Sequence, residues 1–171
     1  MTPRTVEPGG SALRWVAELL GNARIRFLVA GEAAAAAHGA APPRVACGAV
    51  LPAPAGVEVF VAAADLPRLL RQTEEHVAEP PWRRRDERWD RIAVGLEHAG
   101  ARITVSLVDA ARVRDAGTGA WVDAAVDLDA SVERTVWGVT VPVMAWERLV
   151  ELERRLGRTL ERRSAGGAAG G

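Results

Sequence analysis

A single α+β domain is predicted, and three features of the chain predict it. Its 171 residues and 18.2 kDa suit one hydrophobic core rather than two. Segments with helical apolar spacing alternate with segments of strand spacing, in the order α-β-α-β-α-β-β-ββ-α. The composition, 49% hydrophobic and 26% charged, is that of a compact globular domain and not of a disordered, fibrous or membrane protein.

Residues 1–10 and 164–171 are rich in Gly, Pro, Ala and Thr with nothing to bury, so they are expected to be flexible, and residues 11–163 to fold. From Ser11, a plausible N-cap, Leu13, Val16, Leu19 and Leu20 recur at helical spacing until Gly21-Asn22. Ile25 to Val29 reads as a strand ending at Gly31, and Glu32 to His38 as an Ala-rich helix closed by Gly39. Four prolines make Ala40 to Gly56 a loop able to cover a pocket. Val57 to Val61 alternates as a strand, with Glu58 and Phe60 facing away from the three valines. Asp65 is placed to cap a helix carrying Leu66, Leu69, Leu70, Thr73 and Val77, and Pro80-Pro81 to break the chain after it. Two paired strands follow, one with Ile92, Val94 and Leu96 on a face and one with Ile103, Val105 and Leu107. Two more bracket Trp137-Gly138, and a last helix from about Ala145 buries Leu149, Leu152 and Leu156.

Charge and cysteine content exclude several functions. Cations and anions both number 22, so no basic excess points to nucleic acid. All 22 cations are Arg, which rules out lysine-based catalysis. The single cysteine, Cys47, can form no internal disulfide and anchors no cysteine zinc site. No apolar run is long enough to span a membrane and Met1 to Pro8 lacks a signal-peptide core, so a cytoplasmic location is expected. P-loop, nucleophile-elbow, paired-histidine and dinucleotide motifs are all missing.

Phe27-Leu28-Val29-Ala30-Gly31-Glu32-Ala33, followed by Ala37-His38-Gly39, resembles the opening of nucleotidyltransferase-fold proteins. Val57 to Val61 with Asp65 to Leu70 resembles that family's second strand and the helix after it, and Gly138 to Val143 with Leu149 and Gly157-Arg158 its closing hairpin and helix. The resemblance covers most of residues 12–160 and implies a mixed β-sheet flanked by helices. It also implies a metal site of two alternate carboxylates on the second strand and a third on a later strand, holding Mg²⁺ ions that bridge nucleotide phosphates.

Position by position, that site is dismantled. The first carboxylate falls on Gly56 and the second on Glu58, while the third falls on Arg102 to Val108, where Thr104 and Ser106 stand and Asp109 lies just beyond. The Gly-Gly or Gly-Ser turn that meets the triphosphate reads Gly31-Glu32. No metal and no cofactor are therefore expected. The expected function is small-molecule binding in a repurposed cleft, with metal-independent general acid or base chemistry from Glu58 and Glu32. Two alternatives stay open: an active Mg²⁺-dependent nucleotidyltransferase using Glu58 and Asp109, and a non-catalytic interaction or regulatory module.

Glu32 also has a purely structural reading, since a carboxylate in a helix's first turn interacts favourably with the helix dipole. Gly31, His38, Arg44, Trp82, Trp89, Arg102 and Ser106 are the expected ligand-binding residues, with His38 at its helix's C-terminus better suited to a structural role than to catalysis. Between Trp82 and Arg91 five arginines face three interleaved acids, a pattern that either clamps a ligand or pairs with itself on the surface. Trp82, Trp89 and Trp121 flank polar sequence and could build an indole-lined pocket, whereas Trp15 and Trp146 are assigned to the core. Asp123, Asp127 and Asp129 lack the pattern of a calcium loop and are assigned to the surface.

Overall fold

A computed structural model of the chain describes residues 8–41, 44–45 and 56–163. In order, its elements are α1 (Pro8–Asn22), β1 (Phe27–Ala30), α2 (Gly31–Ala37), β2 (Arg44–Val45), β3 (Gly56–Val61) and α3 (Leu66–Thr73). Then come β4 (Val77–Arg85), β5 (Trp89–His98), β6 (Ala101–Leu107), β7 (Arg112–Arg114) and β8 (Trp121–Asp123). The chain closes with β9 (Ser131–Val136), β10 (Val139–Met144), α4 (Trp146–Arg155) and β11 (Arg158–Thr159). Nine strands make one mixed sheet in the order β8-β7-β5-β6-β3-β1-β10-β9, with β4 also paired to β5, while β2 and β11 pair separately. This is the mixed sheet flanked by helices that the sequence predicts.

The β3–β6 pair is parallel and β3–β1 and β6–β5 are antiparallel, so side chains alternate in register across four strands. Val57, Val59, Ile103, Val105, Val94 and Leu96 share one face and are at most 1% exposed. Helix α1 covers that face with Leu13, Val16 and Leu20, all fully buried, and its Trp15 ring stacks flat on His98 at 4.6 Å. Each such side chain contributes about 1.5–3 kcal/mol through removal from water. Helices α2 and α4 pack on each other, α2 also touches β3, and Gly31 abuts Glu58, so this pair lies over the opposite face. There Leu28, Ala30 and Phe60 are buried, and over β4, β5 and β6 the same face buries Trp89, Ala93, Gly95 and Ser106 beside Glu79, Arg84, Arg91 and Arg102.

Several elements differ from expectation. Helix α1 begins at Pro8, so Ser11 lies inside it and not at its cap. Proline suits a first helical turn, and Gly9 allows the Trp137 ring to approach to 3.1 Å of where a Cβ would stand. Val77 belongs to β4 because α3 stops at Thr73, and Asp65 makes no side-chain capping bond. Pro80 and Pro81 do not break the chain: they sit within β4, which pairs on one side only and shifts register between Glu79 and Trp82, where missing N–H donors are tolerated. Strands β7 and β8 were not anticipated, being three residues each and set by pairing with distant chain. The region read as one loop from Ala40 to Gly56 contains β2, paired to β11, and Ala40 bridges to Arg162. Both partners lie more than a hundred residues away, beyond the reach of local pattern. Of the stretch 1–10 expected to be flexible, residues 8–10 belong to α1, while residues 1–7 and 164–171, and Pro42, Pro43, Cys47, Pro52 and Pro54, lie outside the described residues. Among the described residues no helix is long and apolar enough to cross a membrane.

Candidate functional site

The strand register assembles the site. Across β3, β6, β5 and β4 one row reads Glu58, Thr104, Gly95, Glu79, and the next reads Phe60, Ser106, Ala93, Trp82. Gly56 pairs with Arg102 on one side of these rows and Arg91 with Arg84 on the other. Small residues thus floor a face whose walls are charged or aromatic. Gly95 is required by close approach: a Cβ there would stand 3.0 Å from Glu79 Cβ and 3.5 Å from Arg102 Nη2.

Five charged side chains on this face are joined by ion pairs. Arg91 Nη1 donates to Glu58 Oε1, and Glu79 receives Arg84 on one oxygen and Arg102 on the other. Arg91 also lies over the Trp89 ring at 4.5 Å, and Arg84 over Trp82 at 4.9 Å. Burial, then repulsion by Arg102 and Arg91, lowers the Arg84 pKa. Arg84 Nε and the fully buried Ser106 hydroxyl have no hydrogen-bond partner among the described residues.

Gly31 stands at the edge of this face with φ +63°, and a Cβ there would lie 2.9 Å from Glu58 Oε2. Glu32 follows it in the first turn of α2, half-buried. Glu58, Gly31, Trp82, Trp89, Arg102 and Ser106 are therefore brought to one side of the sheet. His38 has other work: its Nε2–H donates to the Met144 carbonyl at 2.8 Å and its ring meets Trp146 edge-on. The Arg44 backbone pairs in β2, and its side chain lies outside the described residues. Trp121 falls on the opposite sheet face, under Arg85, so Trp82, Trp89 and Trp121 do not form one pocket. Trp15 and Trp146 are half-buried against histidines and not in the deep core. Of the Trp82–Arg91 charges, Arg83 and Asp90 pair with each other on that opposite face at 2.7 and 2.5 Å, which holds the Asp90 pKa low.

Sequence reasoning missed Glu153. It lies in α4, is 2% exposed and pairs with Arg158 at 2.5 Å; burial, reinforced by Glu58, raises its pKa to about 6. Its signal was present, because Leu149, Leu152, Glu153 and Leu156 occupy the i, i+3, i+4, i+7 positions of the buried stripe. Arg84, Arg91 and Glu79 were missed as a cluster for want of the β4–β5 register. A cavity of about 380 Å³ at the β5–β6 turn, among Glu75, His76, Glu97 and His98, contains none of the expected site residues.

Of the positions that the resemblance assigns to metal carboxylates, Gly56, Thr104 and Ser106 supply no charge and Glu58 is paired with Arg91. Among the described residues no three His, Cys, Asp or Glu side chains converge on a metal-sized site. Asp109 Oδ2 accepts the Ala63 N–H at 2.7 Å beyond the ends of β3 and β6, away from Glu58. Residues 46–55 contain no Asp, Glu or His to add.

Comparison with solved structures agrees with the topology. A Thermotoga maritima protein provisionally assigned as a nucleotidyltransferase superposes with a TM-score of 0.63 at 19% identity, over 85% of this chain and 83% of its own. The fold is nucleotidyltransferase-like. The antibiotic-resistance factor ANT(2″)-Ia, an aminoglycoside nucleotidyltransferase, matches this nucleotidyltransferase-like fold with a TM-score of 0.50 at 12% identity, over 82% of this chain and 67% of its own. No protein-family model and no curated protein matches the sequence.

Proposed function

We propose that this nucleotidyltransferase-like domain binds a small molecule on the Glu58 face and does not transfer nucleotides through a divalent metal. One observation carries the reading: the single carboxylate left at the metal-binding positions, Glu58, is ion-paired to Arg91, and Arg102 stands beside Gly56. A Mg²⁺ ion needs several anionic oxygens, and guanidinium groups at its position repel it. Binding is favoured over proton transfer, because Glu58 is engaged by Arg91 and the carboxyl with the raised pKa, Glu153, is buried against Arg158.

Thermal unfolding with ATP, GTP, CTP and UTP, each with and without Mg²⁺, tests this. No Mg²⁺-dependent rise in midpoint is expected for any nucleotide. A ligand at 100 times its Kd stabilises by about 2.7 kcal/mol, so a Mg²⁺-dependent nucleotide would be visible and would overturn the reading.

A further inference from the structure

Two histidines and two carboxylates meet at the C-terminal end of β5, around the cavity of about 380 Å³ where residues 75–78 pass the β5–β6 turn. Trp15 of α1 holds both imidazoles: its ring lies flat on His98 at 4.6 Å and tilted against His76 at 4.5 Å. His76 Nδ1–H donates to the Glu97 carbonyl at 3.3 Å, which leaves Nε2 of the neutral ring as an acceptor. The turn is fixed as well, since Ala99 and Gly100 take φ of +51° and +75°, as a two-residue hairpin of mirror-image type requires. The walls are therefore set before any ligand arrives, which lowers the entropic cost of binding.

The charge around the cavity is negative. No arginine lines it, and neither Glu75 nor Glu97 makes an ion pair among the described residues. Arg102 stands opposite Glu97 in register, but its guanidinium and that of Arg84 are both on Glu79. Glu75, Glu79 and Glu97 set against these two arginines leave one negative charge. Farther out, Arg14 and Glu18 flank Trp15 on α1, and Arg71 and Glu74 precede the cavity; each pair is balanced, so the excess stands. One negative charge, carboxylate and imidazole acceptors, and an apolar wall of Val77, Ala78 and Ala99 match a primary ammonium, which brings one positive charge and three N–H donors on an apolar stem. A metal ion matches less well, because no three ligating side chains converge there. The volume is at the small end of ligand pockets, about 300–1,000 Å³, and suits a small molecule.

We infer that the cavity between Glu75 and Glu97 binds a small primary ammonium compound, which donates to the two carboxylates and to His76 Nε2 and lays its apolar stem against Val77 and Ala99. The cavity shares no lining residue with the Glu58 face, so the inference stands or falls independently of the function proposed for that face.

The chain has 3 histidines, so the imidazole Cε1–H signals in its NMR spectrum report the cavity directly, with His38, bonded to the Met144 carbonyl, as the internal control. In a titration of the full chain at fixed pH, phenethylamine is expected to shift the His76 and His98 signals to saturation and to leave His38 unmoved. Phenethyl alcohol, of the same shape without the charge, and phenethyltrimethylammonium, of the same charge without N–H groups, are expected to bind at least about fivefold more weakly. Glu75→Gln and Glu97→Gln are each expected to weaken phenethylamine about threefold or more. Both side chains are exposed, so both variants should keep the wild-type unfolding midpoint. Equal binding of the alcohol, wild-type affinity in either variant, or no shift of either signal at about 10 mM phenethylamine overturns the inference. Equal binding of the trimethylated probe overturns the primary ammonium as the ligand class. Stoichiometric Zn²⁺ shifting both signals where phenethylamine shifts neither would make the cluster a metal site and overturn the inference as well.

Discussion

Gly31 and Glu58 touch across the α2–β3 boundary: a Cβ on residue 31 would lie 2.9 Å from Glu58 Oε2, and the Gly31 backbone sits at φ +63°. Two costs therefore meet in Gly31→Ala. The left-handed backbone costs about 1 kcal/mol for any L side chain. The carboxylate, pinned by Arg91, can clear the methyl only by disturbing its ion pair, which adds about another 1 kcal/mol. Urea unfolding should give a loss of about 2 kcal/mol in the wild-type background and about 1 in Glu58→Ala, where only the backbone cost remains. An equal loss in both backgrounds would show that the contact contributes nothing.

Glu153 makes stability depend on pH in an unusual direction. Burial, with Glu58 adding repulsion and Arg158 and Arg88 opposing it, raises its folded pKa from 4.5 to about 6. The folded protein then holds a proton that the unfolded chain has released, so this group's contribution is full below about pH 4.5 and is lost as pH rises through 6. The difference corresponds to about 2 kcal/mol. Unfolding free energies at pH 4 and 7 should show the wild type losing about that much relative to Glu153→Gln, which has no proton to release. Parallel pH profiles of the two proteins would refute the raised pKa.

The sheet-and-helix order was legible in the sequence because it rests on local period: Val57, Val59 and Val61 alternate, and Leu149, Leu152 and Leu156 recur at helical spacing. What was not legible depends on register. Arg91, Ala93 and Gly95 alternate with Ile92, Val94 and Leu96, so β5 has one face of large apolar residues and one that includes small residues. Only pairing with β4 and β6 shows that Glu79, Arg84 and Arg102 stand around that small face. Pro80-Pro81 concealed β4 altogether, because a strand holding two prolines survives only at an irregular edge.

Ser106 is fully buried and its hydroxyl has no partner among the described residues. An unsatisfied buried hydroxyl costs free energy that alanine at the same place does not. Ser106→Ala should therefore raise stability by about 1 kcal/mol in denaturant unfolding, where most core substitutions lower it. A loss of more than about 1 kcal/mol would mean that the hydroxyl is hydrogen-bonded in the folded protein.

The Glu58–Arg91 pair decides whether Glu58 is available for anything else. Their side chains are 25% and 15% exposed, between a solvated pair worth at most about 1 kcal/mol and a buried one whose breaking costs about 3–5. Glu58→Gln and Arg91→Met should each destabilise by about 1–2 kcal/mol, and the double variant by less than the sum. Arg91→Met also removes the cation over the Trp89 ring, but that loss is present with or without Glu58 and cancels in the cycle. The expected coupling is about 1–2 kcal/mol, falling with added salt because the pair is partly solvated. A coupling near zero would leave Glu58 a free carboxylate at the second metal position and return the Mg²⁺-dependent reaction to consideration.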